Sequence, residues 1–345
     1  MANLINIDGR MKRISQRDIA KILGINVSTV SRALRGVEGV GPELKEKIAQ
    51  LAKEQGYTPN PFALSLRYDT TRTIGVIVPN VSFSHFAHIV KYLEMEAKKA
   101  GYMCIITDSD DKYENEVAIV EHMMSMHVDG IIVCLAQDTT DYSHLFRVKE
   151  RSVPIVIFDR IADVNLSTVV INDTDSVRQV THYLIDCGAK RIAFLGGSNR
   201  MKQTADRKHG YLEALRERRI PIRKELVKCH NTSFNSGLTD MMDLLDLPEP
   251  PDAIIAAHGL LANAAFKAIN SRGLRIPEDI ALVGYMSDWV SDIMTPRITF
   301  VKQNLRDIGG KAFKLLNDQI NGDFSVKHIV LKARLELRET TKKIT

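Results

Sequence analysis

Hydrophobic positions follow two different rhythms along this chain. In residues 14–57 they recur at helical spacing: Ile19 with Leu23, then Val30, Ala33 and Leu34, then Leu44, Ile48, Leu51 and Ala52. From Thr73 onward the pattern changes to short continuous runs rich in Val and Ile: TIGVIVP, MCIITDS, DGIIVCL, PIVIFDR, RIAFLGG, DAIIAAH and DIALVGY. Amphipathic stretches near 85–100, 114–126, 175–187, 204–218, 259–272 and 305–320 separate them. Such runs alternating with helices predict parallel strands covered on both faces and joined by βαβ crossovers. The chain reads as a small helical unit followed by an α/β body whose strands could make one large doubly wound sheet.

The polar positions of the first unit punctuate its helices. Ser15 followed by Asp18 is a capping box, and Gly24 stops the helix it starts. Asn26 follows as the next N-cap, so the second helix must turn sharply off the first. Small Ala20, turn-forming Gly24 and branched Val30 fall where two helices crossing near a right angle need a close contact, a corner and a plug. This is helix-turn-helix spacing. Gly41, Pro42, Glu43 and Gly56 bracket a third helix. The second helix, in NVSTVSRALRG, is lightly hydrophobic, and its outer face carries Ser28, Thr29, Ser31 and Arg32, a set suited to a polar, anionic partner.

Charge sharpens this division. Residues 1–67 hold 11 Lys+Arg against 6 Asp+Glu, whereas residues 68–345 hold 36 against 36. The whole surplus of +5 therefore lies in the helical unit, the electrostatic footprint of a nucleic-acid-binding headpiece, although a solvated basic tail would carry similar charge. No apolar run approaches the ~20 residues that cross a bilayer, and the N-terminus lacks signal-peptide order, so a cytoplasmic protein without a membrane role is expected. The four cysteines, Cys104, Cys134, Cys187 and Cys229, are widely spaced and signal neither a disulfide framework nor a zinc site.

Taken together, ISQRDIAKILGINVSTVSRALRG and EKIAQLAKEQGYTPNPFALSLR resemble the headpiece and hinge of LacI/GalR-type transcription regulators. The similarity continues through TIGVIVPN, VDGIIV, GAKRIAFLGG, IPEDIALVGY and a late TP-x-IT-x-V-x-Q stretch, and so covers nearly the whole chain. The resemblance implies a three-helix headpiece over 12–57, a hinge helix and linker over 58–71, and a two-lobed core of the type I periplasmic-binding-protein fold over 72–340. Lobe 1 would take about 72–170 and 300–323, and lobe 2 about 171–299 and 324–340, with crossings near Val170, Thr299 and Asp323.

It also implies roles. Val27, Ser28 and Arg32 would face base edges in the major groove, and Thr29 and Ser31 would hold phosphates. In the hinge, Asn60 would be the polar anchor, Ala63 the close helix contact and Leu66 the wedge that enters the minor groove. An effector would bind beyond the carboxyl ends of the strands. His85 and Phe86 would stack on a ring there, Arg207 would bind hydroxyls or carboxylates, and Asp159 and Arg160 would contact ligand or form an internal salt bridge. Two departures stand out: His258 and Gly259 replace a usual Asn-Asp pair, and Met286, followed by Ser287 and Asp288, replaces a usual aspartate. Methionine cannot accept hydrogen bonds from effector hydroxyls as a carboxylate does, which points away from the usual sugar-binding mode.

Other motifs do not survive inspection. The carboxylates of DSDDKYENE lack the spacing of a calcium loop and read as a solvated loop before a helix. His85 and His88 have no third metal ligand signalled nearby, and no phosphate loop or nucleophile elbow is present. The expected protein is a non-enzymatic, homodimeric transcription regulator, most simply a repressor, that needs no cofactor. It would bind a pseudo-palindromic duplex operator and answer to a small-molecule effector, a sugar or related metabolite. The competing readings are a solute-binding protein of the same core fold, which the headpiece disfavours, and an α/β enzyme, which lacks any catalytic motif.

Overall fold

A computed structural model describes residues 14–57, 70–160 and 162–342, together with the backbone of 5–7 and 10–12. It divides into two compact units, Met1–Thr71 and Arg72–Thr345.

In the first unit, short strands β1 (Ile5–Ile7) and β2 (Arg10–Lys12) pair antiparallel. Helices α1 (Gln16–Leu23), α2 (Val27–Leu34) and α3 (Pro42–Glu54) follow. The Ser15–Asp18 capping box forms in both directions, and Gly24 ends α1 in the left-handed conformation at φ 64°. Asn26 caps α2 by accepting from the Ser28 amide, and Pro42 opens α3 behind Gly41. Their facing residues, Ile19, Ala20, Val30, Ala33, Ile48 and Ala52, close one small core.

The second unit holds two six-stranded sheets rather than one large one. The lobe 1 sheet contains β3 (Thr73–Val78), β4 (Met103–Asp108), β5 (Gly130–Val133), β6 (Ile155–Asp159), β7 (Ser167–Ile171) and β13 (His328–Leu331), in the spatial order 13-7-6-5-3-4. The lobe 2 sheet contains β8 (Ile192–Gly196), β9 (Val227–Cys229), β10 (Ala253–Ala256), β11 (Ala281–Tyr285), β12 (Thr299–Lys302) and β14 (Arg334–Glu336), in the order 14-12-11-10-8-9. All pairings are parallel except β12 with β14. The central strands are buried on both faces, as their unbroken apolar sequence predicts.

Helices α4 (Ser84–Lys99), α5 (Tyr113–Ser125), α6 (Ser143–Glu150) and α12 (Leu305–Ile320) belong to lobe 1. Helices α7 (Asp173–Asp186), α8 (Lys202–Glu217), α9 (Phe234–Leu245), α10 (Gly259–Ser271) and short α11 (Asp288–Asp292) belong to lobe 2. Each lobe draws two helix backbones together at a glycine. A Cβ on Gly309 of α12 would lie 2.4 Å from the Ile89 carbonyl oxygen of α4, and one on Gly210 of α8 would lie 2.1 Å from that of Thr174 in α7.

The lobe boundaries differ from those the sequence suggested. β12 pairs with β11, so lobe 2 extends through 302 and the second crossing falls at 303–304 rather than near Thr299. β13 pairs with β7, so lobe 1 keeps the chain through 331 and the third crossing falls at 332–333, not near Asp323. The reason is local: His328–Leu331 is a half-exposed outer strand, and its pattern does not announce which sheet it joins.

Candidate DNA-reading helix and interlobe cleft

The first candidate surface is the outer side of α2. Val30 and Ala33 seat the helix in the headpiece core at 0% and 7% exposure. Half-buried Leu34 packs against the same core, which leaves the opposite side of the helix open. Val27, Ser28 and Arg32 are exposed, while Thr29 and Ser31 are half-buried. The Asn26 carboxamide oxygen accepts from both the Ser28 amide at 3.0 Å and the Ser28 hydroxyl at 2.9 Å, so the cap fixes the first reading position as well as the helix start. Arg35 Nε donates to the Ser31 carbonyl at 2.8 Å and braces the end of the helix. The hinge residues Asn60, Ala63 and Leu66 lie outside the described residues.

The second candidate is a cleft of about 1170 Å³ in the core, at the carboxyl ends of strands from both sheets. His85, Phe86, Asp159, Arg160, Arg207, His258, Met286 and Asp288 all line it. Proximity does not leave all of them equally available. On the lobe 1 side the charged groups engage one another. His85 Nε2 and Asp159 Oδ1 are 2.7 Å apart. Arg160 donates to the Asp111 carboxylate and to the Leu135 carbonyl, the latter at 2.7 Å. Asp159 and Arg160 form no salt bridge with each other: Asp159, at a left-handed φ of 64°, pairs with His85 on α4, and Arg160 pairs with Asp111 on the loop after β4. Burial pushes the Asp159 carboxyl up, but His85 and the two arginines outweigh it and hold the pKa below the ordinary value. Phe86 is 5% exposed and packs in the lobe 1 core with its ring edge-on to His85, so it is no free stacking platform.

Asp111 is a residue that the sequence missed. It belongs to DSDDKYENE, whose solvated-loop reading holds for exposed Asp108, Asp110 and Glu114 but not for two members: Asp111 pairs with buried Arg160, and fully buried Glu116 accepts from the Ala136 amide at 2.6 Å and approaches His144 Nε2 at 2.9 Å. No local signal marks these roles, since each partner is more than 15 residues away.

Across the cleft, Arg207 is 2% exposed, donates through Nε to Asp173 at 2.7 Å and through Nη1 to the Ala257 carbonyl, and lies 4.0 Å above the Tyr285 ring. Burial raises the Asp173 pKa more than Arg207 lowers it. His258 follows Ala257 directly. Burial and then the charges of Arg207 and Arg160 drive its pKa well below the ordinary imidazole value, so it is neutral at pH 7. Its Nε2 is buried without a hydrogen-bond partner, as are Thr232 Oγ1, Asn263 Oδ1, Ser287 Oγ and Gln303 Oε1, all from residues lining the cleft. Met286 packs over Gly284, with its methyl 3.0 Å from where a Cβ would stand. Asp288 is bound to Lys302 at 2.9 Å. Of the groups the sequence missed, only Gln303 had a signal, as the last residue of the TP-x-IT-x-V-x-Q stretch.

Residues 16–60 match the family model described as bacterial regulatory proteins, lacI family, and residues 181–341 match that of a periplasmic binding protein-like domain. Catabolite control protein A of Priestia megaterium is 30% identical over 94% of this chain and 98% of its own length. The probable HTH-type transcriptional repressor ExuR of Bacillus subtilis (strain 168) is 30% identical over 96% of this chain and 99% of its own. Among solved structures, a complex of transcriptional regulator CelR with cellobiose is 28% identical, with a TM-score of 0.73 over 95% of this chain and 100% of that one. The lac repressor dimer bound to operator and the anti-inducer ONPF, 24% identical, shares the fold with a TM-score of 0.85 over 96% of this chain and 99% of that one.

Proposed function

The chain belongs to the LacI family of bacterial regulatory proteins, with a DNA-binding and an effector-binding part, and from that premise we propose which residues read DNA and which sense the signal. The protein acts in the cytoplasm as a repressor on a pseudo-palindromic operator. Val27, Ser28 and Arg32 contact base edges, Thr29 and Ser31 hold phosphates, and the hinge residues Asn60, Ala63 and Leu66 engage the minor groove. Arg32 is suited to the O6 and N7 acceptors of guanine, and Val27 to a thymine methyl. The observation that carries this reading is the division of α2: two small apolar side chains buried, and the polar face open in the stretch, residues 1–67, that accounts for the net positive charge of the chain.

The effector is a small molecule, a sugar or related metabolite, held between the lobes around Arg207. The unpartnered polar atoms of the cleft support a ligand there, because buried groups without hydrogen bonds are costly unless something completes them. A ligand touching both lobes favours one interlobe arrangement over another, and it shifts operator binding only by its difference in affinity between the two. Selection of binding sites from random duplexes by the full chain tests the first part. Recovery of a two-fold symmetric site bound in a salt-dependent manner is the expected result, and asymmetric single sites or no DNA binding would overturn it.

A further inference from the structure

Three of the carboxylates that line the cleft are committed to protein partners, whereas Asp307 at the start of α12 is not among them. Asp159 is held by His85, Asp111 by Arg160 and Asp288 by Lys302. Met286, packed over Gly284, adds a thioether to the same wall and no hydrogen-bonding charge. The carboxylates around Arg207 are Asp173 and Asp159, both already paired, so a neutral polyol seated there finds no spare carboxylate to accept its hydroxyl protons. The orphaned acceptors Asn263 Oδ1 and Gln303 Oε1 serve a few hydroxyls, but as neutral amides.

Positive potential is left over instead. Arg207 uses Nε on Asp173 and Nη1 on the Ala257 carbonyl, which leaves Nη2 for the cleft. Beside it, a Cβ built on Gly197 would stand 2.3 Å from Thr232 Oγ1 and 2.8 Å from His258 Nε2, so these two unpartnered polar atoms converge on one corner. Helix α10 starts at that corner with His258 as an N-cap that makes no side-chain capping bond and with no acidic residue in its first turn. Helices α4 and α8 begin at the cleft in the same uncapped state, whereas α12 carries an Asn304 cap and Asp307. Free amides at a helix start attract anions, and here a buried guanidinium reinforces them.

We propose that the effector is an anion, a carboxylate- or phosphate-bearing hydroxylated molecule whose charged group sits between Arg207 and the His258–Thr232 corner. This rests on the cleft being the effector site. The charge on the ligand accepts from Arg207 Nη2, the Thr232 hydroxyl, the His258 ring and the α10 amides together. Asn263 and Gln303 then take the hydroxyls of the remaining body.

Matched pairs of ligands test it on the full chain by thermal shift and calorimetry: D-glucuronate against D-glucose, D-galacturonate against D-galactose, and glucose 6-phosphate against glucose. At least one anion is expected to raise the melting temperature and to bind about tenfold or more tighter than its neutral counterpart, since charge-assisted hydrogen bonds exceed neutral ones. The uronate and phosphate arms identify the charged group. Arg207→Lys and His258→Asn should each weaken that anion by about tenfold. A neutral hexose that binds as well as its acid, or no shift with any anion, overturns the proposal. If the neutral sugar's binding disappears in Arg207→Lys, the cleft remains the effector site. Anion binding that ignores both substitutions removes the cleft assignment as well.

Discussion

The outer face of α2 and the floor of the cleft are both recognition surfaces, yet they hold their polar groups in opposite ways. On α2, Arg32 and Ser28 stand in solvent, and the helix is seated by Val30 and Ala33 with half-buried Leu34. In the cleft, Arg207, Asp173, Arg160 and Asp159 are buried, and each has a protein partner before any ligand arrives. DNA brings a dense, accessible array of phosphates and base edges, so its reader can stay solvated until contact. A small effector has few atoms, and the groups that meet it must be aimed beforehand by neighbours. The reading helix is thus separable from stability, and the cleft is not.

Substitution at Arg207 should separate the two most strongly. Arg207→Ala leaves Asp173 buried and unpaired, and breaking such a pair costs about 3–5 kcal/mol, so urea denaturation of the core should shift to much lower concentration. Replacing both partners, Arg207→Met with Asp173→Leu, should recover most of that loss because no lone charge remains. If the single substitution leaves the core as stable as before, the contrast between the surfaces fails.

Arg32→Ala should do the reverse. Specific operator affinity should fall by about 1–3 kcal/mol with no change in either melting transition. The salt dependence separates base reading from phosphate contact: the log-log slope holds for a base reader and drops by about 1 for a phosphate contact.

Acid titration offers a smaller test. The folded-state pKa of His258 lies well below its unfolded value, so as pH falls below ~6.5 the unfolded chain takes up a proton that the folded chain refuses. Its contribution is therefore fully present above that pH and is lost on acidification, at up to about 1.4 kcal/mol per pH unit. Unfolding midpoints of His258→Asn measured from pH 7 down to pH 5 should fall less steeply than those of the parent chain. An unchanged slope would mean that the imidazole is not kept neutral by burial and its two arginines.

Asn26→Ala should have the smallest effect, about 1 kcal/mol on the headpiece transition, with a further loss of operator affinity because the same oxygen orients Ser28.

The sequence by itself determined the headpiece almost completely. Ser15, Gly24, Asn26 and Pro42 act through bonds or dihedrals within a turn of the chain, so their pattern is their structure. It also determined the seven strands, although β4, expected to be buried like the others, lies at the edge of its sheet with Met103 and Ile106 exposed, because an apolar run does not say whether a neighbour covers it. Short, mixed segments such as Ser143–Glu150 and His328–Leu331 carried no such signal, and their form depends on what they pack against. Only tertiary structure decided that β13 returns to lobe 1, that Asp159 takes His85 and Arg160 takes Asp111, and that five polar atoms of the cleft remain unpartnered. The physical reason is distance along the chain. His85 and Asp159 are 74 residues apart and Arg160 and Asp111 are 49, so the choice of partner is made when the strands of the lobe 1 sheet and their connections converge, and no local pattern encodes it.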